Sequence, residues 1–120
     1  MRVMRLLAVL LAVLTPAAAG ARLPTQTEAR LIRAGLPAYA RRIPKRCVHL
    51  DIRVANDGRY AKVAPFFLVA TQPSCVKYAF DGYWLLQRAP RWRLIYDGSG
   101  VPPCVLGVPR DLTPCKSRPG

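Results

Sequence analysis

Cys47, His49 and Asp51 are spaced two residues apart along the chain. On a β-strand that spacing puts all three side chains on one face. A cysteine activated by an imidazole is a nucleophile, and an imidazole oriented by a carboxylate is a general base. Strand positions two apart are about 7 Å apart, which is long for a direct hydrogen bond. A disulfide cysteine beside an ordinary strand histidine accounts for the first pair. Asp51 paired with a neighbouring arginine accounts for the second. His49 is the single histidine of the chain. No two cysteines have the close C-x-x-C type spacing of zinc ligands, so no metal or cofactor is expected.

The remaining carboxylates have local roles. Glu28 opens a helix, Asp57, Asp81 and Asp97 sit in turn sequences, and Asp111 lies in a proline-rich tail. There is no G-x-S-x-G elbow, phosphate loop, dinucleotide fingerprint or H-E-x-x-H. No residue is therefore assigned a catalytic role. A small secreted hydrolase or nuclease using His49 with Asp51 or Arg53 is kept as an alternative.

The chain has 120 residues and four cysteines, Cys47, Cys75, Cys104 and Cys115. An even number in a short exported chain reads as two disulfides. Spacing alone does not choose among the three connectivities. The expected pairing is Cys47–Cys75 with Cys104–Cys115, the second closing a short loop that contains Pro109 and Pro114.

Export is read from the N-terminus. Arg2 and Arg5 precede an uncharged apolar run from Leu6 to Leu14, Pro16 breaks it, and small residues follow through Ala21. This is the pattern of a signal peptide cleaved near Ala19 or Ala21. The run falls short of the roughly 20 apolar residues of a membrane span. The expected organisation is a signal peptide over 1–21, one domain over 22–115 and a frayed tail over 116–120. The localisation that follows is secreted or periplasmic.

The elements come from periodicity and punctuation. Ala29, Ile32, Leu36 and Tyr39 recur at helical spacing, Thr25 or Thr27 can cap, and Gly35 and Pro37 predict a kink or stop near Leu36. Residues 48–54 alternate apolar and polar, Asn56-Asp57-Gly58 is a turn, and residues 60–69 form a second strand that Pro65 pushes toward an edge or bulge. Residues 75–80 and 83–88 read as a hairpin about Asp81-Gly82, with Phe80 opposite Tyr83. Ala89-Pro90-Arg91 turns into a strand over 92–96. The fold class is α+β: one N-terminal helix on a disulfide-stapled antiparallel meander of four or five strands. One sheet face lies under the helix and the other is expected to be open.

Gly82-Tyr83-Trp84-Leu85-Leu86-Gln87-Arg88, then 92–98 with its Trp92 and Gly98, then Cys104, Val108-Pro109 and Cys115, resemble the endings of a group of small exported bacterial proteins. In that group a C-terminal Trp hairpin runs into a Gly turn, a Cys, a Val-Pro step and a last Cys. The resemblance spans about residues 75–115. It implies an exported α+β domain and no catalytic residues.

The charge points to partners. The net charge is +13. Loss of 1–21 removes only Arg2 and Arg5 from the basic side. Such a surface attracts anionic polymers, a membrane surface or an acidic protein. Arg41, Arg42, Lys45 and Arg46 form a basic connector that could bind an anion. Most aromatics fall in 78–96, where they could stack a ligand but are expected to fill the core. The preferred function is a monomeric, non-enzymatic binding domain. A secreted inhibitor presenting the 104–115 loop is the other alternative.

Overall fold

The computed structural model describes residues 20–117. The expected signal segment through residue 19 lies outside the described residues, as do residues 118–120. Helix α1 is Gln26–Ala34 and a one-turn helix α2 is Ala38–Arg41. Four strands follow: β1 (Val48–Val54), β2 (Tyr60–Phe67), β3 (Tyr83–Arg88) and β4 (Trp92–Gly98). They form one antiparallel meander in the order β1-β2-β3-β4. The α+β architecture expected from the sequence is thus present, with four strands.

Thr25 starts α1. Its hydroxyl accepts from the Glu28 amide at 3.1 Å, and the Glu28 carboxylate accepts from the Thr25 amide at 2.9 Å. This reciprocal pair satisfies two amides that the helix leaves free. Gly35 ends α1, and Pro37 precedes α2 with extended backbone. The predicted break near Leu36 is therefore a short gap between two helices. Gly35 also permits a close approach: a Cβ there would lie 2.5 Å from the Trp92 carbonyl oxygen.

The main core lies between the helices and one face of the sheet. Ile32 and Leu36 meet Ile52, Val54, Ala61, Val63, Trp84, Leu86 and Trp92. Burying each large aliphatic side chain contributes about 1.5–3 kcal/mol. Trp84 is fully buried, and Phe80 packs edge-on against it. Trp84 and Trp92 are core, as expected, and Phe80, Tyr83 and Tyr96 pack against it half-buried, whereas Tyr78 belongs to neither core cluster.

Two expectations for residues 75–88 fail. Residues 75–80 are not a strand: Pro73–Tyr78 is a 3-10 turn. The Asp81-Gly82 hairpin does not form. A strand has two edges, and those of β3 are taken by β2, with Val63 opposite Trp84, and by β4, with Arg88 opposite Trp92. No edge is left for 75–80, whose Cys75 is instead drawn to Cys47.

The second sheet face is not open throughout. Val108 and Leu112 pack on Leu85 and Ala55, with Ile95 and Tyr96 beside them. The β3–β4 ladder shifts register here: Leu86 opposes Leu94 while Leu85 opposes Tyr96. The extra residue lets both Ile95 and Tyr96 reach this cluster. The Cys104–Cys115 disulfide staples the covering segment. The Lys116 amide donates to the Pro102 carbonyl at 2.8 Å, and its carbonyl accepts from the Cys104 amide at 3.0 Å.

Candidate functional site

Both disulfides have the expected pairing, and no described cysteine is free. Cys47 therefore offers no thiol to His49. Arg53 Nε donates to Asp51 Oδ1 at 3.1 Å, so Asp51 is paired with its strand neighbour rather than with the imidazole. His49 stands exposed, opposite Phe66 on β2.

Four of the other five carboxylates are likewise occupied. Asp57 accepts from the Arg59 amide within its turn, as the sequence suggests. Asp97 and Asp111 do more than the turn and loop roles expected of them. Asp97 accepts from the Tyr39 hydroxyl at 2.6 Å, and Asp111 accepts from the Asn56 amide at 2.7 Å. Glu28 is held between Arg22 and Thr25. The paired Arg22 guanidinium, then the Thr25 amide, push its carboxyl down to about 2.

Asp81 is exposed and makes no side-chain hydrogen bond or ion pair among the described residues, but most of the unpaired charge is cationic. Among the described residues, only Arg22–Glu28 and Arg53–Asp51 are ion pairs. A groove of about 630 Å³ runs between the two helices and the outer edge of β1. Its apolar floor includes Leu36, Ala40, Ile43 and Leu50. Arg30, Arg33, Arg41 and Lys45 rise from the helices and connector, His49 lies at the strand side, and no carboxylate lines it. The volume falls within the range of about 300–1,000 Å³ that ligand sites take.

The local sequence explains this placement. Ile32 and Leu36 turn inward, so Arg30 and Arg33 flank them at the rim. Pro44 then starts the 3-10 turn Lys45–Cys47, which swings the connector back to β1 and fixes Lys45 beside it. Of the four connector residues singled out from the sequence, Arg41 and Lys45 line the groove. Arg42 and Arg46 are exposed outside it. Sequence reasoning missed Arg30 and Arg33 as site residues. Their i, i+3 spacing places them on one helix side, but only the fold shows that β1 lies opposite.

A second groove, of about 850 Å³, lies on the other side of α1. Arg59, Arg88 and Arg91 surround Leu31, Pro90 and Trp92. Glu28 also lines it, which reduces its net positive charge.

No known protein family, curated protein or solved structure matches the chain.

Proposed function

We infer that this chain is an exported, non-enzymatic binding domain whose groove between the helices and β1 takes an anionic partner. One observation carries it: four cationic side chains, Arg30, Arg33, Arg41 and Lys45, converge over an apolar floor with no carboxylate among them. Charges set apart from opposite charge and shielded on one side by a low-dielectric wall focus their field on a ligand. Export is supported by the two disulfides, which persist in oxidising compartments. Among the described residues no helix is long and apolar enough to cross a membrane. The net charge, +13 for the full chain and +11 (13 − 2) once Arg2 and Arg5 are lost, disfavours self-association and fits a monomer.

Titration with polyphosphate at several salt concentrations tests the groove. An Arg30→Gln/Arg33→Gln double variant should bind more weakly than Arg42→Gln/Arg46→Gln, although each removes two charges. Binding should fall with salt. Equal losses in the two variants, or binding indifferent to salt, would overturn the groove as the site.

The inhibitor alternative is favoured by Val105, which is 90% exposed beside the Cys104–Cys115 bridge. Inhibition of any enzyme in a protease panel that a Val105→Asp variant loses would support it over anion binding.

A further inference from the structure

We propose that the outer edge of β1 is a strand-addition site, and that the anionic partner is an acidic protein segment bound there in extended form. The proposal rests on the groove reading above and names the partner's chemistry.

β1 is an end strand of the sheet, and among the described residues its outer edge is met at one point only. The Arg22 amide donates to the Val54 carbonyl and the Val54 amide donates to the Arg22 carbonyl, both at 2.8 Å. In an antiparallel ladder the N–H and C=O of one residue point the same way, and the direction alternates along the strand. Val54 points outward, so Ile52, Leu50 and Val48 point outward too. Two independent contacts agree with this parity. The Cys47 carbonyl accepts from Leu68 on the β2 side, as an odd-numbered residue should. Leu50 stands opposite Pro65, which has no N–H to give it.

The described residues do not fill this edge themselves. Continuing antiparallel from Arg22, the next residue to bond would be Pro24, opposite Ile52. Pro24 has no N–H, and Thr25 then caps α1 and carries the chain away. Among the described residues no backbone group bonds Val48, Leu50 or Ile52 from outside the sheet. An edge with unmet donors and acceptors is a template for another strand.

The cationic groove borders this edge at Val48 and Leu50. An added strand alternates its side chains, so every second one would project toward the helices, on the side of Leu50. There it meets Arg30, Arg33, Arg41 and Lys45 over the apolar floor. Acidic side chains at alternate positions suit that wall. A second copy of this chain, strongly cationic with or without residues 1–21, is repelled by it. Polyphosphate and nucleic acid match the charge but offer no peptide backbone to the edge.

The test uses the disulfide-intact protein and three probes. One is a short peptide of alternating Glu and Val. The second is the same peptide with the amides of alternate residues N-methylated, in both possible phases. The third is polyphosphate. The parent peptide should bind, and the methylated form whose lost amides face β1 should bind at least about tenfold more weakly. Amide hydrogen exchange should slow at Val48 and Leu50, the partly exposed edge positions that border the groove, when the parent peptide binds. Equal affinity for parent and both methylated peptides, or no slowing at those amides, would sink strand addition and leave charge recognition standing. So would binding of polyphosphate alone. If Arg30→Gln/Arg33→Gln weakens no probe, the groove reading itself fails.

Discussion

The indole Nε1 of Trp84 donates to the Tyr39 hydroxyl at 2.9 Å, and that hydroxyl donates in turn to the Asp97 carboxylate at 2.6 Å. Trp84 is fully buried, and its only polar atom would otherwise lie unsatisfied in the core. The relay ties α2 to β3 and β4. Burial, then the Asp97 carboxylate, hold the Tyr39 phenol above its ordinary value, while the indole donor opposes them. Tyr39→Phe should therefore destabilise the fold by about 1–2 kcal/mol, the cost of orphaning a buried donor. Chemical denaturation measures it. An unchanged midpoint would mean that the ring's packing, not its hydroxyl, holds α2 in place.

Gly35→Ala should cost more than the usual helix-end substitution. The new methyl would meet the Trp92 carbonyl oxygen at 2.5 Å and Leu86 Cδ2 at 2.9 Å. The backbone atom cannot swing aside, so α1 must lift from β4. A loss of about 1–3 kcal/mol is expected, as for overpacked cores. A gain in melting temperature would show that the helix end moves freely.

Local signals were legible where one residue set the backbone. The Asn56-Asp57-Gly58 turn was readable because Gly58 takes a left-handed φ of +73°. The alternation of 48–54 and the cap at Thr25 are also local. Val76, Tyr78 and Phe80 alternate like a strand, yet become a 3-10 turn and its exit because β2 and β4 occupy both edges of β3. Val108 and Leu112 have no strand period, so nothing in the sequence marked them as the cover of a second face. The groove was half legible. Arg41 and Lys45 stand in a charge run, whereas Arg30 and Arg33 gain their role only from the strand across from them.

Glu28 predicts a specific acid response. Its carboxyl is lowered from 4.5 to about 2 in the fold by the Arg22 guanidinium and then by the Thr25 amide. As pH falls, the unfolded chain takes up this proton first, so the stabilisation is full above about 4.5 and fades toward 2. Glu28→Gln removes the charge but keeps an acceptor for the cap. The stability difference between parent and variant should be largest above pH 4.5 and shrink toward pH 2 in urea denaturation. A difference constant across that window would assign the stabilisation to the cap alone.

The two disulfides should part company under mild reduction. Cys47 and Cys75 are fully buried, whereas Cys104 and Cys115 are partly exposed at the edge of the C-terminal cover. Thiolate attack needs access to sulfur, so Cys104–Cys115 should open first. The loops they close span 11 and 28 residues, which the chain-entropy account values at about 3 and about 3.5 kcal/mol. Loss of the first should loosen the cover over Leu85 while the helix-side core persists. Loss of the second should leave a cavity beside β1 and unfold more of the chain. Intact mass after alkylation without reduction should show no reactive thiol. After brief reduction two alkyl groups should appear, both mapping to residues 104–115. Alkylation at Cys47 and Cys75 first would mean that the 3-10 turn opens more readily than the C-terminal cover, reversing the order of local stability argued from burial.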